Sequence, residues 1–179
     1  MKIFIAGLPG SGKTTQSDML SKDLGIPYVS MGALLRTISE EDSSLGEQVR
    51  LAVSEGELVD NKFTAEILRK ELEGNKYNDG IIVDGYPRDI EQLKFFDPHY
   101  NFVFYLKISP EEGRRRLLLR HRNDDIPEVI DNRFRVQQER LEDLLNHLKS
   151  HYKFMEINGE KSIEEIHQEI MEEVKGDGS

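Results

Sequence analysis

The chain has 179 residues, enough for one domain with a sizeable core. Its 34 Asp and Glu residues against 24 Lys and Arg give a net charge of -10, which disfavours nucleic acid and anionic membrane as partners. It has no cysteine, so disulfides and thiolate zinc sites are excluded. There is no apolar leader with a cleavage site and no run of about 18 apolar residues, so the expectation is a soluble, cytoplasmic protein.

In chain order, Ile3-Phe4-Ile5-Ala6 reads as a buried first strand over residues 2–6. Gly7-Leu8-Pro9-Gly10-Ser11-Gly12-Lys13-Thr14 follows, and residues 13–24 read as a helix stopped at Gly25. Pro27-Tyr28-Val29 is a short second strand, and Ser30 caps a helix through Leu34, Leu35 and Ile38. Ser43 or Ser44 starts another helix, ended by Gly56. Asp60 or Asn61 starts a third through Phe63, Ile67, Leu68 and Leu72, closed at Gly74. Gly80-Ile81-Ile82-Val83-Asp84 is an apolar strand ending in a carboxylate, and residues 89–96 are helical. Phe102-Val103-Phe104-Tyr105-Leu106 is a fourth strand, and Pro110 opens an arginine-rich helix broken at Asn123-Asp124-Asp125. A long helix runs from Pro127 through Leu148, Phe154-Met155-Glu156-Ile157 is a fifth strand, and Ile163, Ile166, Ile170 and Val174 mark a final amphipathic helix. The tail from Lys175 to Ser179 is expected to be disordered.

Strands alternating with helices imply an α/β fold with a five-stranded parallel sheet covered on both faces. Ligands in such folds bind at the carboxyl ends of the strands, where the loop at 7–14, Ser30 and Asp84 all fall. The loop fits G-x-x-x-x-G-K-[ST], a P-loop, and so predicts a three-layer P-loop NTPase fold. In such a loop backbone N–H groups form a nest for phosphate at the dipole end of a helix. Lys13 can reach the β/γ-phosphates and Thr14 can ligate Mg²⁺. Asp84, at the end of an apolar strand, approaches the same metal as a Walker-B aspartate does.

A second group of residues needs its own explanation. Gly85 permits close backbone approach, Pro87 fixes a turn, and Arg88 is delivered to the same sheet edge. Arg36 lies six residues past Ser30, and Arg116, Arg120, Arg122 and Arg133 flank the break at 123–126. Against a net charge of -10 this set points to a cage for more than one phosphate group. Arg114, Arg115, Arg135 and Arg140 read as a solvated face.

Taken together these stretches resemble the adenylate kinases, or more broadly the nucleoside monophosphate kinases. The resemblance rests on Gly7 to Gln16, on Ser30-Met31-Gly32-Ala33-Leu34-Leu35-Arg36, on Gly56-Glu57-Leu58-Val59, on Asp84-Gly85-Tyr86-Pro87-Arg88 with Gln92, and on Asp124-Asp125 with Arg133. It spans essentially the whole chain, in order. It implies one domain over 1–175, with a core of 1–29, 61–119 and 127–175, an acceptor-binding part at 30–60 and a short lid at 120–126. ATP would be held by Gly10, Ser11, Gly12, Lys13, Thr14, Thr15, Arg116 and Arg120. AMP would be held by Ser30, Met31, Arg36, Glu57, Leu58, Val59, Gly85, Arg88, Gln92, Arg122 and Arg133. Lys13, Arg88, Arg120, Arg122 and Arg133 would act in catalysis, and Thr14, Thr15 and Asp84 would serve Mg²⁺. A monomer without zinc is expected.

The chain departs from the family pattern at Thr14 (usually glycine), Met31 (usually threonine) and Ala33 (usually an aspartate that helps order the metal shell). It also departs in its short lid and in Pro127, which sits in the first turn of the helix after the lid. Met31 leaves a uridylate/cytidylate or other nucleoside monophosphate kinase as the alternative, while Gln92 favours AMP. A hydroxyl-acceptor kinase would want a carboxylate base where Ser30 to Ala33 offer none. A GTPase would carry Asn-Lys-x-Asp, and Asn61-Lys62-Phe63-Thr64 lacks the Asp.

Overall fold

The computed structural model describes residues 1–120, 122 and 125–176. Five strands form one parallel sheet in the order β2-β3-β1-β4-β5: β1 (Lys2–Gly7), β2 (Tyr28–Ser30), β3 (Ile81–Asp84), β4 (Phe102–Lys107) and β5 (Lys153–Asn158). β1 lies central, with Ile5 beside Asp84 of β3 and beside Phe104 of β4. β2 runs along β3 with Ser30 beside Asp84. All strands being parallel, their carboxyl ends share one edge.

Period-two alternation along these strands sorts the core into two layers. Ile3, Ile5, Ile82, Phe104 and Leu106 face α1 (Lys13–Leu24) and α8 (Ile163–Gly176), where Leu20 and Ile170 complete the packing. Phe4, Val29, Ile81, Val83 and Val103 face the other way. There they meet α2 (Met31–Ser39), α3 (Ser44–Glu55), α4 (Asn61–Glu71) and α7 (Pro127–His151). A smaller cluster of Leu8, Leu117, Ile130 and Phe134 joins α6 (Pro110–Arg120) to α7. The fifth helix, α5 (Ile90–Phe95), follows β3. This is the three-layer P-loop NTPase architecture that the element order implies.

Local chemistry sets the boundaries. Ser30, Ser43 and Asp60 each accept a backbone N–H from three residues on, from Ala33, Gly46 and Phe63, and so cap α2, α3 and α4. Two details differ from the sequence reading. The helix expected to close at Gly74 ends at Glu71, with Leu72 as its cap and the Leu72 N–H bonded to the Leu68 carbonyl, and a 3₁₀ turn at Asn75–Tyr77 follows. Lys175 and Gly176, expected in a disordered tail, continue α8 because Val174 is still buried against the sheet. The remainder of that tail, and Asn123 and Asp124 of the expected break, lie outside the described residues. No helix among the described residues is long and apolar enough to cross a membrane.

Leu20, fully buried on α1 directly after the P-loop, anchors that helix to the sheet. Leu20→Ala should lower unfolding stability by about 2–5 kcal/mol, read as a shift in urea midpoint at constant slope. A loss under about 0.5 kcal/mol, the size seen at surface positions, would show that α1 does not depend on this contact.

Candidate active site

The loop between β1 and α1 lies at the carboxyl edge of the sheet. Lys13 turns its ammonium back into this loop and donates to the carbonyls of Gly7 (2.9 Å) and Leu8 (2.8 Å). Burial lowers its pKa to about 8; Asp84 opposes the shift, while Arg88 and Arg120 add to it. Ser11 is turned under the loop, its Oγ buried without a partner and its N–H bonded to the Leu8 carbonyl. Its side chain therefore faces away from the cleft, unlike those of Thr14 and Thr15, which are exposed. Pro9 and Gly10 press directly on α6. A Cβ on Gly10 would come within 2.5 Å of the Gly113 carbonyl oxygen, and one on Gly113 within 2.7 Å of the Pro9 carbonyl oxygen.

Asp84 ends β3, 3% exposed, and accepts three hydroxyls. Thr14 donates to Oδ2 at 3.1 Å, Tyr28 to Oδ2 at 2.6 Å and Ser30 to Oδ1 at 3.1 Å. Burial, with the Asp84 charge beside it, holds the Tyr28 phenol well above its ordinary range, so Tyr28 stays a donor.

The turn after β3 is pinned from below. Tyr86 is fully buried and its hydroxyl reaches the Gln92 and Phe96 carbonyls, while Tyr100 donates to the Tyr86 carbonyl at 2.9 Å. The Tyr86–Pro87 bond is cis. Gly85 has φ +76°, and a Cβ there would stand 3.0 Å from an Arg88 guanidinium nitrogen. Glycine therefore serves both the backbone turn and the close approach of Arg88. Arg88 Nε donates to the Gly85 carbonyl at 3.1 Å, and its backbone N–H donates to Gln92 Oε1 at 2.8 Å. That bond fixes which way the buried Gln92 amide points, leaving its NH₂ as the group presented. Arg36 and Arg88 converge above Gly32, within 3.4 and 3.7 Å of where its Cβ would be. Burial, and beyond it the Arg133 and Arg36 charges, push the Arg88 pKa down against the pull of Asp84. A guanidinium so placed favours an anion.

The far side is gathered by Asp125, whose side chain is 1% exposed. Arg120 binds it through two nitrogens (2.9 and 2.6 Å), the Arg122 N–H donates at 3.1 Å, and Arg133 lies 3.8 Å away. Burial would raise the Asp125 carboxyl. The Arg120 hydrogen bonds, the Arg122 N–H and the two guanidinium charges outweigh it and hold the carboxyl below the usual range.

Most of the predicted site residues line one cleft of about 620 Å³, while Tyr28, Tyr86, Tyr100 and Asp125 support it from behind. It runs from the loop, Lys13 to Thr15 and Asp84, to Arg116, Arg120, Arg122 and Arg133 on one side. On the other it reaches Ser30, Met31, Arg36, Glu57 to Val59, Gly85, Arg88 and Gln92. The four arginines set aside as a solvated face lie outside it: Arg114 pairs with Asp131, Arg115 with Glu112, Arg135 with Glu139 and Arg140 with Asp89.

Residues 5–153 match the adenylate kinase family. The chain is 34% identical over 185 residues to the adenylate kinase of Azobacteroides pseudotrichonymphae, covering 97% of each chain. It is 35% identical to that of Prochlorococcus marinus strain MIT 9515, covering 96% of this chain and 97% of the other. It is 34% identical to that of Corynebacterium urealyticum, covering 93% and 94%. The chain belongs to the adenylate kinase family. As such it is a phosphotransferase.

Within this adenylate kinase scaffold, two features escaped the sequence reading, and one expected residue, Glu57, has partners of its own. Tyr28 reads there only as a strand aromatic, yet its hydroxyl makes the shortest of the three bonds to Asp84. Its signal is positional: it lies two residues before Ser30, on the same strand face. The segment Lys161-Ser162-Ile163, with Ile166, lines the cleft beyond Arg116 and carries no motif. Gln16 Nε2 ties it to α1 by donating to the Ile163 carbonyl at 2.8 Å. Glu57 stands at the cleft rim, but its carboxylate accepts from Asn132 (2.9 Å) and pairs with Arg135 (3.4 Å) on α7.

The lowered Lys13 pKa has a measurable sign. With its pKa lowered to about 8, Lys13 should lose much of its proton above that pH in the free protein, and a bound polyanion should restore it. Nucleoside triphosphate affinity should therefore fall as pH rises through about 8. At pH 8.5 binding should take up a substantial fraction of roughly one proton, seen by calorimetry in buffers of different ionisation enthalpy. Proton-neutral binding at that pH would show that Lys13 is not depressed.

Proposed function

We propose that this chain is an adenylate kinase in the strict sense, catalysing reversible, Mg²⁺-dependent transfer of the ATP γ-phosphoryl group to AMP to give two ADP. The observation that carries the reading is that two separate sets of arginines line one P-loop cleft. Arg36 and Arg88 meet above Gly32, while the Arg120 and Arg133 guanidinium groups gather at Asp125, which also accepts the Arg122 backbone N–H. One nucleotide would not require both.

The acceptor nucleophile is a phosphate oxygen, anionic at neutral pH, so no general base is needed. Catalysis then rests on in-line positioning and on neutralising charge on the moving group. Lys13 and the loop hold the donor phosphates, and Arg88 with Arg36 orients the acceptor phosphate. Arg120 and Arg133 exchange Asp125 for the transferring phosphoryl group, and the Arg122 side chain joins them there. The donor set Thr14, Thr15 and Asp84 is all oxygen, which suits Mg²⁺. When bound, Mg²⁺ neutralises charge on the β- and γ-phosphate oxygens. The acceptor part at 30–60 and the lid at 120–126 exclude water, so that ATP is not hydrolysed.

Base choice follows from the fixed Gln92 amide. Its NH₂ donates, and so pairs with an acceptor such as adenine N1, while adenine N6 donates to backbone carbonyls near Val59 and Gly85. Guanine and uracil place an N–H where adenine has an acceptor, and are opposed. Cytosine shares the adenine pattern, so CMP is the nearest competitor and the second reading. Turnover with AMP should exceed that with GMP or UMP by about 100-fold or more, with CMP between them, in a coupled ADP assay. Preference for UMP or CMP overturns the AMP assignment. Arg88→Ala should lower kcat by about 10³-fold with ATP binding little changed. Near-wild-type turnover in that variant removes Arg88 from the mechanism.

A further inference from the structure

Asp84 is a buried acid of the cleft that accepts hydroxyls from two neighbouring elements. The register explains why. β2 pairs with β3 so that Tyr28 lies beside Ile82 and Ser30 beside Asp84. Alternation puts these four side chains on the sheet face that α1 covers. Thr14 comes from the first turn of α1. Each hydroxyl has one hydrogen. Tyr28 gives its hydrogen to Oδ2 at 2.6 Å, a length expected of a hydroxyl bound to a charged carboxylate. Thr14 gives its own to the same oxygen, so what its Oγ1 has left is lone pairs. Thr14 is exposed at the cleft.

We propose that Tyr28 is a positioning residue for the metal side of the site: with Ser30 it fixes the Asp84 carboxylate so that Oδ2 takes the Thr14 hydrogen and the Thr14 oxygen is free to bind the divalent cation that accompanies the triphosphate. This rests on the phosphoryl-transfer reading above. Oδ2 already accepts two hydrogen bonds, which makes it a weak direct ligand and suits Asp84 to act one step removed from the cation. Without the Tyr28 hydroxyl, the carboxylate can turn about its side-chain torsion. The Thr14 hydrogen can then swing toward the cleft, where it repels a cation. The Tyr28 ring packs with the cluster between sheet and α1, so phenylalanine preserves the packing and removes only the donor.

The test is calorimetry of a non-transferable ATP analogue, with Mg²⁺ and with EDTA, on the full chain. Tyr28→Phe should lose about tenfold of the Mg²⁺-dependent gain in affinity, as outer-shell partners of metal ligands generally do, with binding in EDTA kept within about twofold. Thr14→Val should lose at least as much and Thr14→Ser should keep the gain, a comparison that stands even where Tyr28→Phe folds poorly. The double variant Tyr28→Phe/Thr14→Val should lose no more than Thr14→Val alone, because both act on one oxygen. A gain undiminished in Tyr28→Phe, an equal loss with and without Mg²⁺, or additive losses overturn the proposal. A gain absent from the wild type sinks the metal reading itself, and the proposal with it.

Discussion

Cations crowded into a cleft repel one another, and the arrangement of this one follows from how that repulsion is offset. Two unit charges about 6 Å apart cost about 3 kcal/mol at an effective dielectric of 20. The cleft collects Lys13, Arg36, Arg88, Arg120 and Arg133 in a chain whose overall charge is negative. Asp84 and Asp125 supply the counter-charge, one at the end of the central strands and one at the root of α7. Their placement is unequal in kind. Asp84 is bound by neutral hydroxyls and offsets Lys13 and Arg88 by proximity alone. Asp125 is bound by the cations themselves. The first therefore leaves its charge unpaired with any one cation, while the second is paired directly with the guanidinium groups it holds.

The parallel sheet makes this economical in chain length. Every strand ends at the same edge, so loops of a few residues deliver the phosphate loop, Ser30, Asp84 and Arg88 to one place. The apolar layers beneath are ordinary. What is specific is the rigidity of the turn after β3, where buried Tyr86 and Tyr100 hold backbone carbonyls and so fix Arg88 and Gln92 above them.

Much of this was legible in the residues. Strands appear as apolar runs because both sheet faces are covered, and helices appear through their caps and glycine stops. The phosphate loop, Ser30, Asp84 and Arg88 converge on the cleft because each follows or ends a strand. Other features left no local mark. Tyr28 needs the knowledge that β2 lies beside β3, and strand order is a long-range property. The Lys161–Ile163 wall is shape built by a loop, with no residue type that a ligand would demand. The inward turn of Ser11 is decided by the path of the loop, which a pattern of glycines does not specify. The orientation of the Gln92 amide depends on one backbone N–H four residues earlier, that of Arg88.

The contact between Gly10 and Gly113 has a mechanical consequence. No side chain separates the phosphate loop from α6 there; backbone rests on backbone, and Phe134 of α7 closes on Gly113 beside the Pro9 carbonyl. Side-chain rotation can absorb small displacements between packed elements, but a joint without side chains has no such slack. The loop and the helix that carries Arg116 and Arg120 therefore behave as a single stiff frame. Any change in the width of the cleft has to be taken up outside this joint.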